Sequence, residues 1–252
     1  MTRILVTNDD GVYSEGIKIL ARSLSGLGEV FIVAPDREQS ASGHSLTLTR
    51  PLRLQKLEER VYAVDGTPTD CVSLAVQWLF KDHRPDLIVS GINFGLNLGN
   101  DVTYSGTVSA TFEGTLLGIP SVAFSQEVGE GFSFEPAARF AQRLVETLLK
   151  SEVPKDLLLN VNVPAGGYRG VRFTRLGYRV YRQAVVEKTD PRGRKYYWIA
   201  GTPEWREEDG TDCAAISASQ ISITPLHLDL TDYRGLDSYG ALQASLAGAH
   251  DD

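Results

Sequence analysis

Short apolar runs, each followed by a segment with helical spacing, constrain the fold of this chain more than any other feature. The first run, Ile4-Leu5-Val6-Thr7, is apolar enough to be buried on both faces. Strands of that kind occur in parallel sheets that helices cover on both sides. Strands alternating with helices therefore predict an α/β fold with a doubly wound, mostly parallel sheet. The runs predicted as its strands are 4–7, 30–33, 87–89, 121–124 and 157–161.

The segments between these runs begin with residues that favour helix starts. Ser14 precedes apolar residues at helical spacing and is predicted as an N-cap. Thr67 is followed by Pro68, and proline is favoured at the first helical position. Two further helices are predicted over 105–117 and about 136–150.

The pattern changes after about residue 165, where strand-like segments follow one another with little helix between them. Strands are predicted over 171–176, 178–187 and 195–200, and Asp190-Pro191-Arg192-Gly193 is a strong turn signal between the last two. In 195–199 both strand faces are apolar, which favours a long hairpin arm that packs against a second subunit or against its own domain. We therefore predict a core domain, 1–165, and a C-terminal extension, 166–252, with a β-hairpin arm, a terminal helix and a role in oligomerisation.

Charge and composition exclude several classes of function. With 32 acidic and 25 basic residues the formal net charge is −7, which argues against binding to a nucleic acid polymer. No apolar run approaches the length of a membrane span, and the N-terminal residues lack the features of a signal peptide. The two cysteines, Cys71 and Cys213, are expected to be ordinary thiols. We therefore expect a cytoplasmic protein that does not associate with membranes.

Polar loops follow the first three predicted strands, and they point to a metal site. Ligands in open α/β sheets bind outside the carboxyl ends of the strands, and Asp9 and Asp10 follow the first strand directly. Two adjacent carboxylates repel each other, and a hard divalent cation such as Mg²⁺ or Mn²⁺ removes that repulsion. The two side chains converge only if the strand ends at Asp9, and a plain turn and helix cap is the alternative.

A glycine-rich stretch leads into the helix predicted from residue 105. Gly91, Gly95 and Gly99 recur at every fourth position, which fits neither the dinucleotide-binding fingerprint nor a Walker A sequence. The segment Ser105-Gly106-Thr107 offers a helix N-terminus with free N–H groups and hydroxyls, which suits a phosphate group. The same residues can also serve simply as a helix cap.

Six blocks of the sequence resemble the signature blocks of the SurE family, the survival-protein 5′-nucleotidases. They lie in the family's order and span nearly the whole chain. The blocks are ILVTNDDG (4–11), APDREQSASGHS (34–45), GTPTDC (66–71), VSGINFGLN (89–97), SGTVS (105–109) and ITPL (223–226).

The resemblance implies both a site and an activity. It implies one Mg²⁺ or Mn²⁺ ion per subunit and hydrolysis of nucleoside 5′- and 3′-monophosphates, with short polyphosphate as a further substrate. It also implies a Rossmann-like core and a homodimer or homotetramer joined through the C-terminal arm. Phe94 stands where some relatives carry a basic residue, which could alter substrate preference. The residues implied are Asp9, Asp10, Ser40 and Asn93 for the metal ion and Asn97, Ser105, Gly106 and Thr107 for the substrate phosphate.

Metal-assisted hydrolysis is the expected mechanism, with Asp9 steering a water molecule and Asp10 anchoring the ion. Two roles are open for His44: it can protonate the leaving alkoxide, or it can hold its loop by a hydrogen bond. One alternative chemistry makes an aspartate the nucleophile. An alternative from another class is a receiver-like or nucleotide-sensing domain that holds metal and phosphate without turnover.

Overall fold

The main sheet confirms the predicted doubly wound, mostly parallel α/β architecture. The computed structural model describes residues 1–182, 185–199, 202–206 and 208–247. Within them the main sheet has the strand order β3-β4-β2-β1-β5-β6-β7-β13-β8. Its strands are β1 Arg3–Thr7, β2 Glu29–Pro35, β3 Leu54–Glu58, β4 Val61–Val64, β5 Leu87–Phe94, β6 Ser121–Gln126, β7 Leu158–Val163, β8 Gly170–Phe173 and β13 Gln220–Pro225.

The chain order reverses at β1, which places β1 beside both β2 and β5. All strands from β2 through β7 in that order run parallel with their neighbours. The gap between β1 and β5 is therefore a topological switch point, where the carboxyl ends of neighbouring strands open a crevice. The first and third polar loops leave the sheet at this point.

Helices cover both faces of the sheet, and the alternation within β1 reflects this. Ile4 and Val6 pack in the cluster that contains α1 and α4, while Leu5 packs with α2 on the opposite face. Helices α2 and α3 contact each other, as do α1 and α4. The helices are α1 Glu15–Leu24, α2 Pro68–Leu74, α3 Gly106–Leu116, α4 Glu135–Lys150, α5 Asp212–Ser217, α6 Tyr233–Ser238 and α7 Gly240–Ala247.

Local sequence explains where several helices begin. Thr67 and Asp70 form a reciprocal capping box at α2, with Pro68 in its first turn. Ser14 precedes α1 as predicted, but its side chain makes no cap hydrogen bond. Its hydroxyl oxygen instead accepts from Asn8 Nδ2 at 2.8 Å, which ties the first loop to the helix.

The third predicted strand is longer than its apolar run. β5 continues through Phe94, with a register shift against β6 between Ser90 and Asn93 and a cis peptide between Gly91 and Ile92. Gly91 has a φ of 130°, and a Cβ there would lie 2.3 Å from the carbonyl oxygen of Phe124. Only glycine tolerates this conformation and this close approach. The residues predicted to form a loop from Ser90 are thus partly strand.

The predicted strand over 178–187 is wrong, because two strands with different partners occupy that stretch. β9, Arg179–Arg182, pairs with β12, Thr202–Trp205. β10, Val185–Thr189, pairs with β11, Lys195–Ile199, as an antiparallel hairpin. Asp190 closes the hairpin as predicted, because its Oδ1 accepts from the N–H groups of Arg192 and Arg194.

The C-terminal extension also contributes to the main sheet. β13 pairs antiparallel with β7, and β8 lies beside β13 at the sheet edge. The division at residue 165 remains a prediction, since the sheet continues across it. The predicted terminal helix lies within the region of α6 and α7, and none of the described helices is long and apolar enough to cross a membrane.

Candidate active site

The first polar loop is fixed by Asn8 immediately after β1. Asn8 is fully buried, and its side chain donates to Gly11 O at 3.1 Å and accepts from Gly11 N at 3.2 Å. Gly11 has a φ of 94°, and a Cβ there would lie 3.1 Å from the Arg37 backbone. β1 ends at Thr7, so Asp9 and Asp10 lie beyond the strand and are not held on opposite faces.

Asp9 is almost completely buried. Its Oδ1 accepts a hydrogen bond from the Thr107 hydroxyl at the start of α3, and its carbonyl accepts from Gln39 N at 2.8 Å. Burial raises the pKa of the Asp9 carboxyl above its ordinary value, while the Thr107 hydrogen bond opposes that shift. Asp9 therefore joins the end of β1 to both α3 and the loop that follows β2.

Asp10 is more accessible, and its charge is also destabilised. Burial, with the neighbouring charge of Asp9 second, raises the pKa of Asp10 from 3.8 to about 6, and the Phe94 backbone works in the opposite direction. Both carboxyl groups therefore lie where their ionised forms are destabilised, and a bound cation would relieve this.

Ser40 and Asn93 bring neutral oxygens to the same region. The Ser40 hydroxyl donates to Glu38 Oε1 at 2.6 Å, which leaves its lone pairs available. Asn93 Nδ2 donates to Gly95 O at 2.9 Å, so the amide oxygen is the free acceptor of that side chain.

The structure brings the four residues predicted for the metal ion together in one open cleft of about 1110 Å³. Two of the residues predicted for phosphate, Asn97 and Ser105, line it as well. The cleft is lined by Asp9, Asp10, Glu38, Ser40, Ala41, Asn93, Phe94, Leu96, Asn97, Asn100, Asp101, Tyr104, Ser105, Arg179 and Ile199.

This donor set fits a hard divalent cation. Within the described part of the chain no three or more His, Cys, Asp or Glu side chains are grouped as a metal site, so two carboxylates must combine with neutral oxygens. Carboxylate, hydroxyl and amide oxygens together with water are the ligands of Mg²⁺ and Mn²⁺, whereas zinc favours cysteine and histidine. The two adjacent carboxylates of Asp9 and Asp10 would supply the attraction.

The start of α3 lies directly against the acidic pair. A Cβ on Gly106 would lie 2.7 Å from Asp9 Cβ and 2.8 Å from Ser42 Oγ, so only glycine fits there. Ser105 caps the helix, because its Oγ accepts from Val108 N at 3.1 Å. Thr107 is fully buried and its hydroxyl donates to Asp9, so it holds the Asp9 carboxylate in place.

Asn97 is held on several sides. Its side-chain nitrogen donates to Ser125 Oγ at 2.9 Å, and its backbone N–H donates to Asn162 Oδ1 at 2.8 Å. Asn160 and Asn162 also donate to its carbonyl, at 2.8 Å and 3.0 Å. Two strand asparagines of β7 therefore fix the loop that follows β5.

His44 is not among the described residues that line the cleft. Its Nε2 lies 3.1 Å from Glu113 Oε2 on α3, and its ring packs edge-on against Phe112. Of the two roles left open for His44, this contact favours the one that holds its loop.

Three charged residues of the cleft were not predicted from sequence. Glu38 follows β2 and accepts from Ser40, and a run of polar residues gave no sign that it differs from its neighbours. Asp101 and Arg179 form an ion pair across the cleft wall. Arg179 belongs to the C-terminal extension, and 78 residues separate it from Asp101, so no local pattern could have joined them.

Comparison with known proteins gives consistent matches. A family model described as "Survival protein SurE" matches residues 4–183. The "5'-nucleotidase SurE" of Myxococcus xanthus (strain DK1622) is 51% identical over 253 residues, which is 99% of this chain and 96% of that protein. The protein of the same name from Syntrophotalea carbinolica is 55% identical over 238 residues, 93% of this chain and 94% of that one.

A solved structure extends the comparison to the fold. The crystal structure of the SurE protein from Aquifex aeolicus superposes with a TM-score of 0.85 at 45% identity. The match covers 96% of this chain and 99% of that chain, so it includes the C-terminal extension as well as the sheet.

Proposed function

The chain belongs to the SurE family and is a 5′-nucleotidase, and we propose that it hydrolyses nucleoside monophosphates in the cleft that contains Asp9 and Asp10, with one divalent metal ion per subunit. The observation that carries this proposal is the acidic pair of buried Asp9 and half-buried Asp10, which shares its cleft with Ser40 and Asn93.

In the proposed site, Asp9, Asp10, Ser40 and Asn93 hold Mg²⁺ or Mn²⁺. When bound, such an ion polarises a phosphoryl oxygen and lowers the pKa of a coordinated water. Side chains and backbone groups of this chain orient the attacking water and stabilise the phosphate in this proposal.

Asp9 orients the attacking water in this proposal. Its Oδ1 is occupied by the Thr107 hydroxyl, which fixes the carboxylate plane and leaves Oδ2 to accept a hydrogen bond from water. Asp10 mainly anchors the ion. Thr107 is therefore a positioning residue that acts through Asp9.

The start of α3 stabilises the phosphate. The backbone N–H groups near Gly106 and the positive end of the helix dipole lie beside Asp9, where a phosphate bound at the acidic pair places its oxygens. Asn97 and Ser105 line the same cleft and are proposed as further phosphate contacts.

Hydrolysis of 3′-monophosphates and of short polyphosphate is part of the proposal and rests on the family resemblance. So is assembly into a homodimer or homotetramer through the β10–β11 arm, supported by the exposed apolar side chains of that hairpin. A cytoplasmic location is proposed too, and both cysteines are free thiols, as a reducing compartment requires.

The test is phosphate release from adenosine 5′-monophosphate with Mg²⁺ or Mn²⁺ and with a chelator. The proposal expects release that requires the ion, and a panel of 3′-monophosphates and short polyphosphate then defines the substrate range. Accumulation of a phosphorylated enzyme in a single turnover would replace the water mechanism with an aspartate nucleophile. The binding-domain alternative is disfavoured because Ser90, and no aspartate, stands near the position of a receiver's phosphorylated residue.

A further inference from the structure

A buried carboxylate joins the C-terminal extension to the cleft. Asp212, the first residue of α5, is fully buried. Its Oδ1 accepts from Gly177 N at 2.7 Å and from Cys213 N at 2.8 Å, and its Oδ2 accepts from Gly99 N at 2.7 Å. Hydrogen bonds from backbone N–H groups to an ionised carboxylate are stronger than neutral ones. One side chain therefore connects three segments that are distant in sequence.

The two glycines allow the backbones to approach each other. Gly99 has a φ of 57°, and a Cβ there would lie 2.7 Å from Gly177 O. A Cβ on Gly177 would lie 2.9 Å from Asp212 Oδ1. The close approach of these two backbones thus depends on glycine at both positions, and the Asp212 side chain accepts hydrogen bonds from both.

Each of these backbones leads to residues that line the cleft. Gly99 begins the 3₁₀ helix Gly99–Thr103, which carries Asn100 and Asp101, and Tyr104 follows it. Gly177 lies two residues before Arg179, whose backbone N–H donates to Asn100 Oδ1 at 2.9 Å.

The Arg179 side chain completes this part of the cleft. Its guanidinium pairs with Asp101 and lies 4.5 Å from the ring centroid of Trp205. It brings positive charge to a cleft whose other charged lining residues are Asp9, Asp10, Glu38 and Asp101. The Tyr104 ring nearby is 66% exposed.

We infer that the cleft wall made by Asn100, Asp101, Tyr104 and Arg179 binds the nucleoside part of the substrate, and that Asp212 is its positioning residue. The inference rests on the proposed function. A guanidinium and an exposed aromatic ring suit the hydroxyls and the flat base of a nucleoside. The metal end of the cleft is held separately, since Thr107 and Gln39 fix Asp9 and Asn8 fixes its loop.

Asp212→Asn tests the positioning role with little change in size. The amide keeps one acceptor for Gly177 and Cys213 but presents a donor to the Gly99 N–H. We expect the KM for adenosine 5′-monophosphate to rise by about fivefold or more relative to the KM for phenyl phosphate, which has no nucleoside to reach the wall. A merely structural role would lower the activity toward both substrates in proportion to the folded fraction, and the ratio of the two KM values would stay the same.

The matched control is Asp209→Asn, because Asp209 is 88% exposed at the side chain and pairs with Arg172 outside the cleft. Asn100→Ala is the second variant, and it removes one side chain of the wall itself together with the acceptor for Arg179 N. Should Asp212→Asn fail to fold, as judged by thermal melting, Asn100→Ala decides by the same ratio of KM values.

The outcomes separate the inference from the function it rests on. A wild-type protein that hydrolyses neither substrate with any metal ion overturns the proposed function. A wild-type protein that is active, with a ratio of KM values that neither variant shifts, overturns the inference alone. A shift in the ratio for the variants but not for Asp209→Asn supports it.

Discussion

Asp9 and Asp10 are neighbours in sequence with different surroundings, and this difference supports the different roles proposed for them. Asp9 is buried and bound by Thr107, whereas Asp10 lies closer to solvent. A fixed carboxylate suits the orientation of water, and a more accessible one suits the anchoring of an ion.

Asp9→Asn is expected to lower kcat by about 10³-fold or more, because the amide cannot orient and deprotonate water as the carboxylate does. Phosphate release from adenosine 5′-monophosphate measures this, and thermal melting checks the fold. Asp36→Asn is the control, since Asp36 also follows a strand but bonds its neighbour Arg37 at 2.8 Å. Comparable losses in the two variants would remove Asp9 from the mechanism.

The raised pKa of Asp10 predicts how the free energy of unfolding depends on pH when no metal ion is bound. Its folded pKa of about 6 exceeds the ordinary 3.8, so in this window the folded state binds more protons than the unfolded state, and stability falls as pH rises. Asp10→Asn is expected to raise the free energy of unfolding at neutral pH by on the order of 1 kcal/mol, since solvent screens part of the effect. Urea unfolding of the chelated protein at neutral and acidic pH measures this.

The wild-type protein and Asp10→Asn should respond to added Mn²⁺ to different extents. The ion is expected to stabilise the wild-type protein and to stabilise Asp10→Asn much less, since binding to the folded state adds to its stability. Equal stabilisation of both proteins would exclude Asp10 as a ligand.

The contact between His44 and Glu113 joins the loop that also carries Ser40 to α3. We therefore expect the two side chains to be coupled energetically. The side chains are 31% and 10% exposed, respectively. His44→Gln and Glu113→Gln are each expected to reduce stability, with a coupling energy of about 1 kcal/mol in a double-mutant cycle. Activity should fall only a few-fold. Loss of the basic limb of the pH–rate profile in His44→Gln would restore its role as general acid.

Sequence reasoning predicted residues that the structure brings into one cleft, but not the residues that hold them there. Asp9, Asp10 and Ser40 follow strands, Asn93 lies at the end of β5, and the carboxyl ends of neighbouring parallel strands meet at one edge. Thr107 was predicted to contact phosphate, and its hydroxyl also donates a hydrogen bond to Asp9, which was not predicted. Its direction depends on how α3 packs against β1, which residue types alone do not determine.

At the scale of elements, the start of α3 is the most constrained feature of the site. Gly106 packs against Asp9 and Ser42, so the helix N-terminus reaches the acidic pair only because no side chain intervenes. The sequence placed this helix within a residue at either end, since it begins after a cap and ends before Gly118.

Gly106→Ala is expected to lower kcat by about 10²-fold and to destabilise the fold by about 2 kcal/mol, because the new methyl group meets Asp9 and Ser42. Steady-state kinetics and urea unfolding measure the two effects. Gly26→Ala is the control, because nothing lies within 4 Å of a Cβ there. Full activity in Gly106→Ala would mean that this helix start does not contact the substrate.

Buried strands were predictable as elements, and edge strands were not. β1, β2, β6 and β7 each contain a short apolar run and were placed to within two residues. β3 has the sequence LQKLE at the sheet edge, where one side meets solvent, and it carries no such run. The split between β9 and β10 depends on different pairing partners, which are distant in sequence.

At the scale of the whole molecule, the C-terminal extension contributes both to the main sheet and to the cleft. The sequence pattern predicted that this segment differs from the core but not both contributions. The extension completes the main sheet through β13 and β8, and it sends Arg179 into the cleft. The pairing of β13 with β7 joins residues about sixty positions apart, such as Ser222 and Asn162. Such long-range pairing has no signature in local periodicity.

The β10–β11 arm provides the remaining prediction. Its side chains are exposed on both faces of the hairpin, including Trp198 at 60% and Ile199 at 91%. An isolated two-stranded hairpin is marginally stable in water, and large exposed apolar surfaces mark contacts with another chain. We therefore expect Trp198→Ser to weaken self-association by about tenfold or more in sedimentation experiments.

Trp78 supplies the matched control, because it is 62% exposed but lies after α2, away from the arm. Trp78→Ser removes the same ring and should leave the molecular mass in solution unchanged. Since Ile199 of the arm also lines the cleft, a protein that dissociates through Trp198→Ser should lose affinity for nucleoside monophosphates as well. A wild-type protein that is monomeric at all concentrations would contradict the arm's proposed role, and the hairpin would then need another partner to cover it.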